Sequence, residues 1–359
     1  MNQVGTVAFG SSVQVEEVNR ASVLTRLANL IGPRIALPVL DLLAKTGIAL
    51  GRRGLFPKEL FAVSSTTDAP AAILVPPRGT RRRLTDFGHF RAEWVWNKRL
   101  GDPLEQRDAA ILYFHGGGFA ACGLNTHRRL VAKIGNASGM AVFNVDYRQL
   151  PHHYVETLAD GLEAYQHLLV LGFEPERIVF AGDSAGGGLV FRLALAAKEE
   201  GLPVPGGIVS ISPWADLDWK VRNAHPNVRR DPILPASAFE FLSRQGFLID
   251  GELDPMWSSV NHDCTGMPPA LIQVGSTEVF LPDAEQVAKR YGEAGAPMQF
   301  QIWDRAIHVH QAGSDILSDA RAAIREIGAF NREVLRSASY REYFDDESSG
   351  TSDQASAVN

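Results

Sequence analysis

The sequence predicts an α/β fold: a mostly parallel central sheet flanked by helices, with a helical cap. Two observations carry this. From about residue 107 to 337, short apolar runs alternate with segments whose apolar residues recur every three or four positions. The short runs are apolar along most of their length, as strands covered on both faces must be. Strand and helix in alternation then require parallel strands joined by right-handed crossovers.

Taken in order, residues 1–60 read as a mostly helical cap segment. Its most apolar stretch, IALPVLDLLAKTGIAL (35–50), is interrupted by Pro38, Asp41 and Lys45. It falls short of an uninterrupted membrane span, so no integral membrane segment is expected. It reads as an amphipathic helix packed on the protein's own body, with a membrane-surface position as the alternative. The core follows in two parts, 61–216 and 251–338. RGTRRRL (78–84), the densest basic run, reads as a solvated loop. FRAEWVWNKR supplies a strand at an antiparallel edge. The parallel strands expected are AAILYFHG, AVFNVDYR, RIVFAGDS, GIVSISPW, ALIQVGS and FQIWD. Between them THRRLVAKIGNAS, LADGLEAYQHLLVL, GGLVFRLALAAKEE and DAEQVAKRYGEAG carry the helical period, and DILSDARAAIREIGAFNREVL closes the series. Residues 217–250 break the alternation with helix and loop. An insertion at the C-terminal edge of a parallel sheet sits over the place where ligands bind, so this segment and the N-terminal one read together as a lid. Residues 339–359 are polar, acidic and aperiodic, and are expected to be a disordered tail.

Composition excludes several classes. The net charge is −6 and no basic stripe stands out, which argues against a nucleic-acid partner. Two cysteines, Cys122 and Cys264, make neither a disulfide framework nor a zinc site unaided. They fit a reducing compartment, and a cytoplasmic location is expected. The start, MNQVGTVAFGSS, lacks the charged-then-apolar pattern of a secretory signal.

The chemistry concentrates in two glycine-rich turns. Gly182-Asp183-Ser184-Ala185-Gly186 fits G-x-S-x-G between a strand and a helix. Small residues at Gly182 and Gly186 let strand and helix approach while the turn pushes the serine hydroxyl outward. The first amides of the helix, Ala185 among them, are left without intrahelical partners and can bind negative charge. Glycine-rich turns also cradle phosphates, but this spacing fits neither G-x-G-x-x-G nor the P-loop. His115-Gly116-Gly117-Gly118-Phe119 follows another strand and fits an oxyanion loop. Gly117, Gly118 and Ala185 would then supply three donors to a tetrahedral intermediate. His115 reads as structural, holding that loop. A serine nucleophile needs a base, and the order on such a sheet is Ser, acid, His. Glu278 follows a strand by two positions and is the expected acid. Asp283 is its rival, although an acidic residue at a helix start also serves as a cap. His308, in the loop after the last strand, is the expected base, with His310 as competitor.

On these motifs the sequence resembles the hormone-sensitive-lipase family of α/β-hydrolases, in its bacterial esterase branch, from about residue 85 to 335. HGGGF and GDSAGG match the family's two signatures, and SPWADL and MPPALIQVGSTEVFLPDA look like further family segments. The resemblance implies an α/β-hydrolase fold with Ser184 as nucleophile, Glu278 as acid and His308 as base. It also implies a structural role for Asp283, a cap over the site, and small ester substrates of short to medium acyl chains. It implies neither metal nor organic cofactor, and it allows for a homodimer. DYRQLPHHYVETLAD departs from the family pattern by losing a glutamate, His310 stands where an aromatic residue is usual, and DPMWSSV is an unusual segment. These departures bear on pocket shape. An amide- or lactone-cleaving enzyme would carry the same triad. A non-catalytic receptor on this fold would lack the histidine that His308 supplies.

Overall fold

The computed structural model describes residues 10–56, 61 and 65–350. At its centre is a nine-stranded sheet in the order β1-β11-β10-β7-β6-β4-β5-β3-β2. The strands are β1 (Val13–Val18), β2 (Thr80–Asp86), β3 (Arg91–Asn97), β4 (Ala110–Phe114), β5 (Ala141–Asp146), β6 (Ile178–Asp183), β7 (Gly207–Ile211), β10 (Ala270–Gly275) and β11 (Met298–Trp303). β1 through β5 along that order pair parallel, and β3 and β2 complete the sheet antiparallel. The six parallel strands expected from 107 onward are all present.

Side chains alternate across a strand, and this sets the two cores. On β4, Ile111 and Tyr113 face α2 (Leu124–Ser138) and α8 (Ser318–Gly350), meeting Val131, Ile134, Ile327 and Phe330. Leu112 and Phe114 face the other way, toward α3 (Tyr154–Val170), α4 (Ala185–Glu199) and α7 (Leu281–Ala294). Helices on both faces explain why the strands read as continuous apolar runs.

Four expectations need correction. The basic run 78–84 is not a loop: Thr80–Asp86 pairs residue by residue with Asn97–Arg91. Its arginines stay solvated, with Arg83 held by Asp102 at 2.6 Å. Cations along an outer strand block edge-to-edge association. Within the mostly helical segment 1–60, Val13–Val18 belongs to the core and not to the cap, because β1 adds to β11 as the opposite edge of the sheet. The N-terminal helix α1 (Val23–Arg52) buries only a few of its apolar residues on the body. Only Thr25, Gly32, Leu37, Ala44 and Ile48 are buried. By length and composition alone α1 is of the size that crosses a membrane, even with Pro38, Asp41 and Lys45 in it. Finally, α8 continues to Gly350, through the first part of the segment expected to be disordered. Its earlier turns are anchored by Phe330, Val334 and Ala338, and extending a formed helix is far easier than starting one. Residues 351–359 lie outside the described residues.

The insertion 217–250 forms α5 (Lys220–Ala224), α6 (Ala236–Gly246) and the first strand of a small hairpin, β8 (Leu248–Ile249) with β9 (Glu252–Leu253). α1 lies along α6. A Cβ at Gly47 would sit 2.8 Å from the Phe241 ring, and Ser237 Oγ donates to Asp41 at 2.6 Å. The N-terminal segment and the insertion therefore form one layer.

Candidate active site

Every residue singled out for chemistry sits at the C-terminal end of a parallel strand. His115 follows β4, Ser184 follows β6, Glu278 follows β10 and His308 follows β11. A cavity lined by Ser12, Glu176, Pro269, Met298 and Phe330 lies at the opposite ends of the strands, away from them. Ligands on such sheets bind at the carboxyl ends, so the cavity is not the place to look for chemistry.

Ser184 has φ 54° and ψ −118°, a strained position for a residue with a side chain. Three backbone bonds hold it there: its N–H donates to Ile211 O at 2.8 Å, and its carbonyl accepts from Trp214 N and Gly188 N. The flanking glycines answer to contact. A Cβ at Gly186 would lie 2.0 Å from Phe114 O, and one at Gly182 would lie 2.5 Å from Gly186 O. No side chain fits between the elbow and β4.

The HGGG loop is bolted to the elbow by Asp183. Its Oδ1 accepts from Gly116 N at 3.1 Å and from Tyr113 Oη at 2.7 Å. His127 Nε2 faces the same carboxylate at 3.2 Å. Burial alone would lower the His127 pKa, but the Asp183 charge outweighs it and raises it. Burial pushes Asp183 up, but His127, with the Tyr113 hydrogen bond and His115 beside it, brings its pKa below the usual value. His115 is wholly buried, stacks on Tyr147 at 4.5 Å and points Nδ1 at Gly116 O. Burial and the nearby His127 charge lower its pKa. Tyr147 Oη in turn donates to His115 O at 2.6 Å. Among the described residues, the amides of Gly117, Gly118 and Ala185 have no acceptor. Gly117 and Gly118 hold φ 118° and 65°. A Cβ at Gly118 would lie 2.7 Å from Leu242 of the cap helix α6.

The structure separates the two candidate acids. Glu278 is fully buried, and its Oε2 meets His308 Nδ1 at 2.9 Å. Its Oε1 accepts from Gly275 N at 2.7 Å and Ser212 Oγ at 2.9 Å. Asp283 instead binds Arg222 of α5 at 2.7 Å and accepts from Ala215 N and Asp216 N. Burial pushes Asp283 up to about 6 even so. The two histidines separate as well. His308 is partly exposed, whereas His310 is buried against Trp303 at 5.4 Å. β7 links the groups: Ile211 O holds Ser184, and the next residue, Ser212, holds Glu278 and accepts from Val309 N at 3.3 Å.

Sequence reasoning missed Ser212, His127, Asn227 and Asp231. Asn227 Nδ2 donates to Ser276 O and Glu278 O. Asp231 accepts from Val279 N at 2.8 Å and is pushed up to about 6, chiefly by burial. Both hang the acid loop from the insertion. Only Ser212 carried a local signal, as a polar residue directly after a strand in SISPW.

Burial lowers the His310 pKa to about 4. Its folded value lies below its unfolded one of about 6.5, so its contribution is full above that pH and is lost as pH falls toward 4. The unfolded chain then binds the proton first. A shift of this size corresponds to about 3 kcal/mol. His310→Phe is expected to flatten the decline in urea midpoint between pH 7 and pH 4.5. An unchanged decline would remove His310 from the acid response.

A family model described as the α/β-hydrolase fold matches residues 111–312. Esterase LipU of Mycobacterium tuberculosis is 36% identical over 274 residues, 74% of this chain and 92% of the relative. An acetyl-hydrolase of Streptomyces hygroscopicus is 33% identical over 282 residues, covering 78% and 91%. Among solved structures, a double mutant of the esterase E40 superposes with TM-score 0.71 at 28% identity, covering 82% of this chain and 98% of the other. An esterase from the bacterial hormone-sensitive lipase family gives 0.68 at 30%, covering 78% and 91%.

Proposed function

This chain belongs to the bacterial hormone-sensitive-lipase family of α/β-hydrolases and is a hydrolase of the esterase and lipase type; from that premise we propose that it cleaves short- to medium-chain carboxylic esters through Ser184, His308 and Glu278. The observation that carries the reading is the 2.9 Å contact between Glu278 and His308, joined to the Ser184 elbow through the end of β7.

The Glu278 carboxylate keeps the proton of His308 on Nδ1 and leaves Nε2 as the base. His308 takes the Ser184 proton as Oγ attacks the ester carbonyl. The oxyanion is received by the amides of Gly117, Gly118 and Ala185. His308 then protonates the departing alcohol, leaving an acyl-enzyme. Water attacks that ester with His308 again as base, and the acid leaves with Ser184 restored. Asp183 enters no step. It holds the loop donors against the elbow, so that donors and nucleophile share one frame. The preference for shorter acyl chains rests on the family resemblance.

The test is a p-nitrophenyl ester series from acetate to palmitate. Release is expected to peak at the short to medium esters. No release above background from folded protein would reject the ester reading and turn attention to amides. A peak at palmitate would reject the chain-length assignment alone.

A further inference from the structure

α1 leaves an apolar stripe uncovered. Leu24, Leu27, Ile31, Ile35, Val39 and Leu42 recur every three or four residues and all are exposed, Ile35 and Leu42 at 65% and 67%. The buried apolar residues Leu37, Ala44 and Ile48 lie on the opposite side, and only 6% of its most apolar stretch is buried. A contiguous apolar face of this kind marks an interaction surface.

The charges around it select the partner. Residues 20–53 hold six cations, Arg20, Arg26, Arg34, Lys45, Arg52 and Arg53, in a chain of net charge −6. The one carboxylate within the segment, Asp41, is already engaged by Lys45 at 2.7 Å and by Ser237, and Arg52 meets Glu240 of α6 at 3.8 Å, so the remaining arginines carry the excess charge. An apolar stripe with Arg34, Lys45 and Arg52 along one edge suits a surface with hydrocarbon beneath and negative charge above. A second copy docked through the same face would set cations against cations.

The attachments of α1 decide how it meets that surface. At its N-terminal end, Thr25 Oγ1 donates to Asp319 at 2.6 Å, and Asn29 bonds both Arg305 O and Thr277. Further along, Gly32 abuts Pro232, and Gly47 and Gly51 abut Phe241 and Gln245 of α6. A helix fixed to the body along its length cannot thread a bilayer. We propose that α1 docks the protein on the surface of an anionic phospholipid bilayer, lying in the plane of the interface with its Leu24–Leu42 stripe immersed.

The experiment is flotation of the full chain with vesicles of phosphatidylcholine, alone or containing phosphatidylglycerol. The protein is expected to float with the anionic vesicles and to stay behind with the neutral ones. Raising salt toward 1 M should cut the bound fraction about tenfold, because exposed charges are then screened within about 3 Å. The double variant Ile35→Asp/Leu42→Asp changes exposed positions only. It should remain in the soluble fraction while hydrolysing a soluble ester like the wild type, which separates docking from the ester chemistry. Three results would overturn the proposal. These are no flotation with either vesicle, retention through an alkaline carbonate wash, as for a spanning helix, and a dimer in sedimentation that the double variant dissociates.

Discussion

Ser184→Ala is expected to lower kcat by about 10⁶-fold, the size of effect seen when a triad nucleophile is removed. The substitution deletes one oxygen. Ser184 Oγ does not cap α4, so no described structural bond is lost with it. The backbone that holds the elbow, Ser184 N to Ile211 O and Trp214 N to Ser184 O, is indifferent to the side chain. The donors at Gly117, Gly118 and Ala185 remain, so a residual rate of about 10³–10⁴ over water should persist. Saturation kinetics on a p-nitrophenyl ester, beside a melting curve, checks this. Retention of a tenth of wild-type kcat in a folded variant would place the nucleophile elsewhere.

Glu278→Gln carries the second largest effect, about 10⁴-fold in kcat. The glutamine oxygen can still accept from Gly275 N and Ser212 Oγ, so the loop keeps its shape. The amide nitrogen then faces His308 Nδ1 and donates to it. That favours the imidazole with its proton on Nε2, the tautomer unable to accept from Ser184. Asp283→Ala should behave oppositely. It leaves the Arg222 guanidinium, fully buried beneath Trp214, Phe239 and Phe280, without its counter-charge. Breaking one partner of a buried pair costs about 3–5 kcal/mol of stability. The folded fraction should keep its kcat. Urea titration and active-site titration of both variants separate the outcomes, and a large kcat loss confined to Asp283→Ala would exchange the two roles.

The departures from the family pattern noted in DYRQLPHHYVETLAD turn out to preserve a local frame. Arg148 pairs with buried Asp160 at 2.6 Å and with Glu156 at 2.8 Å, and Tyr147 supports the His115 carbonyl. The side chains retained there are the ones that hold the backbone behind the oxyanion loop.

By itself the sequence determined the α/β class, the six parallel strands from 107 onward and the two glycine-rich turns. Each is written in neighbours: apolar period, a turn residue, a spacing of two or three positions. Tertiary structure decided whatever depends on partners far away in the chain. Thr80–Asp86 becomes a strand only because β3 lies beside it, and Val13–Val18 only because β11 does. Glu278 and Asp283 are five positions apart with the same chemical group. What distinguishes them is that His308 closes on one and Arg222 on the other. α1 looked like a helix for the core, and its period is that of one. Whether an apolar stripe is covered is settled by what packs on it, and here α6 takes the opposite side. Local pattern sets conformation; burial, charge pairing and exposure are properties of the assembled surface.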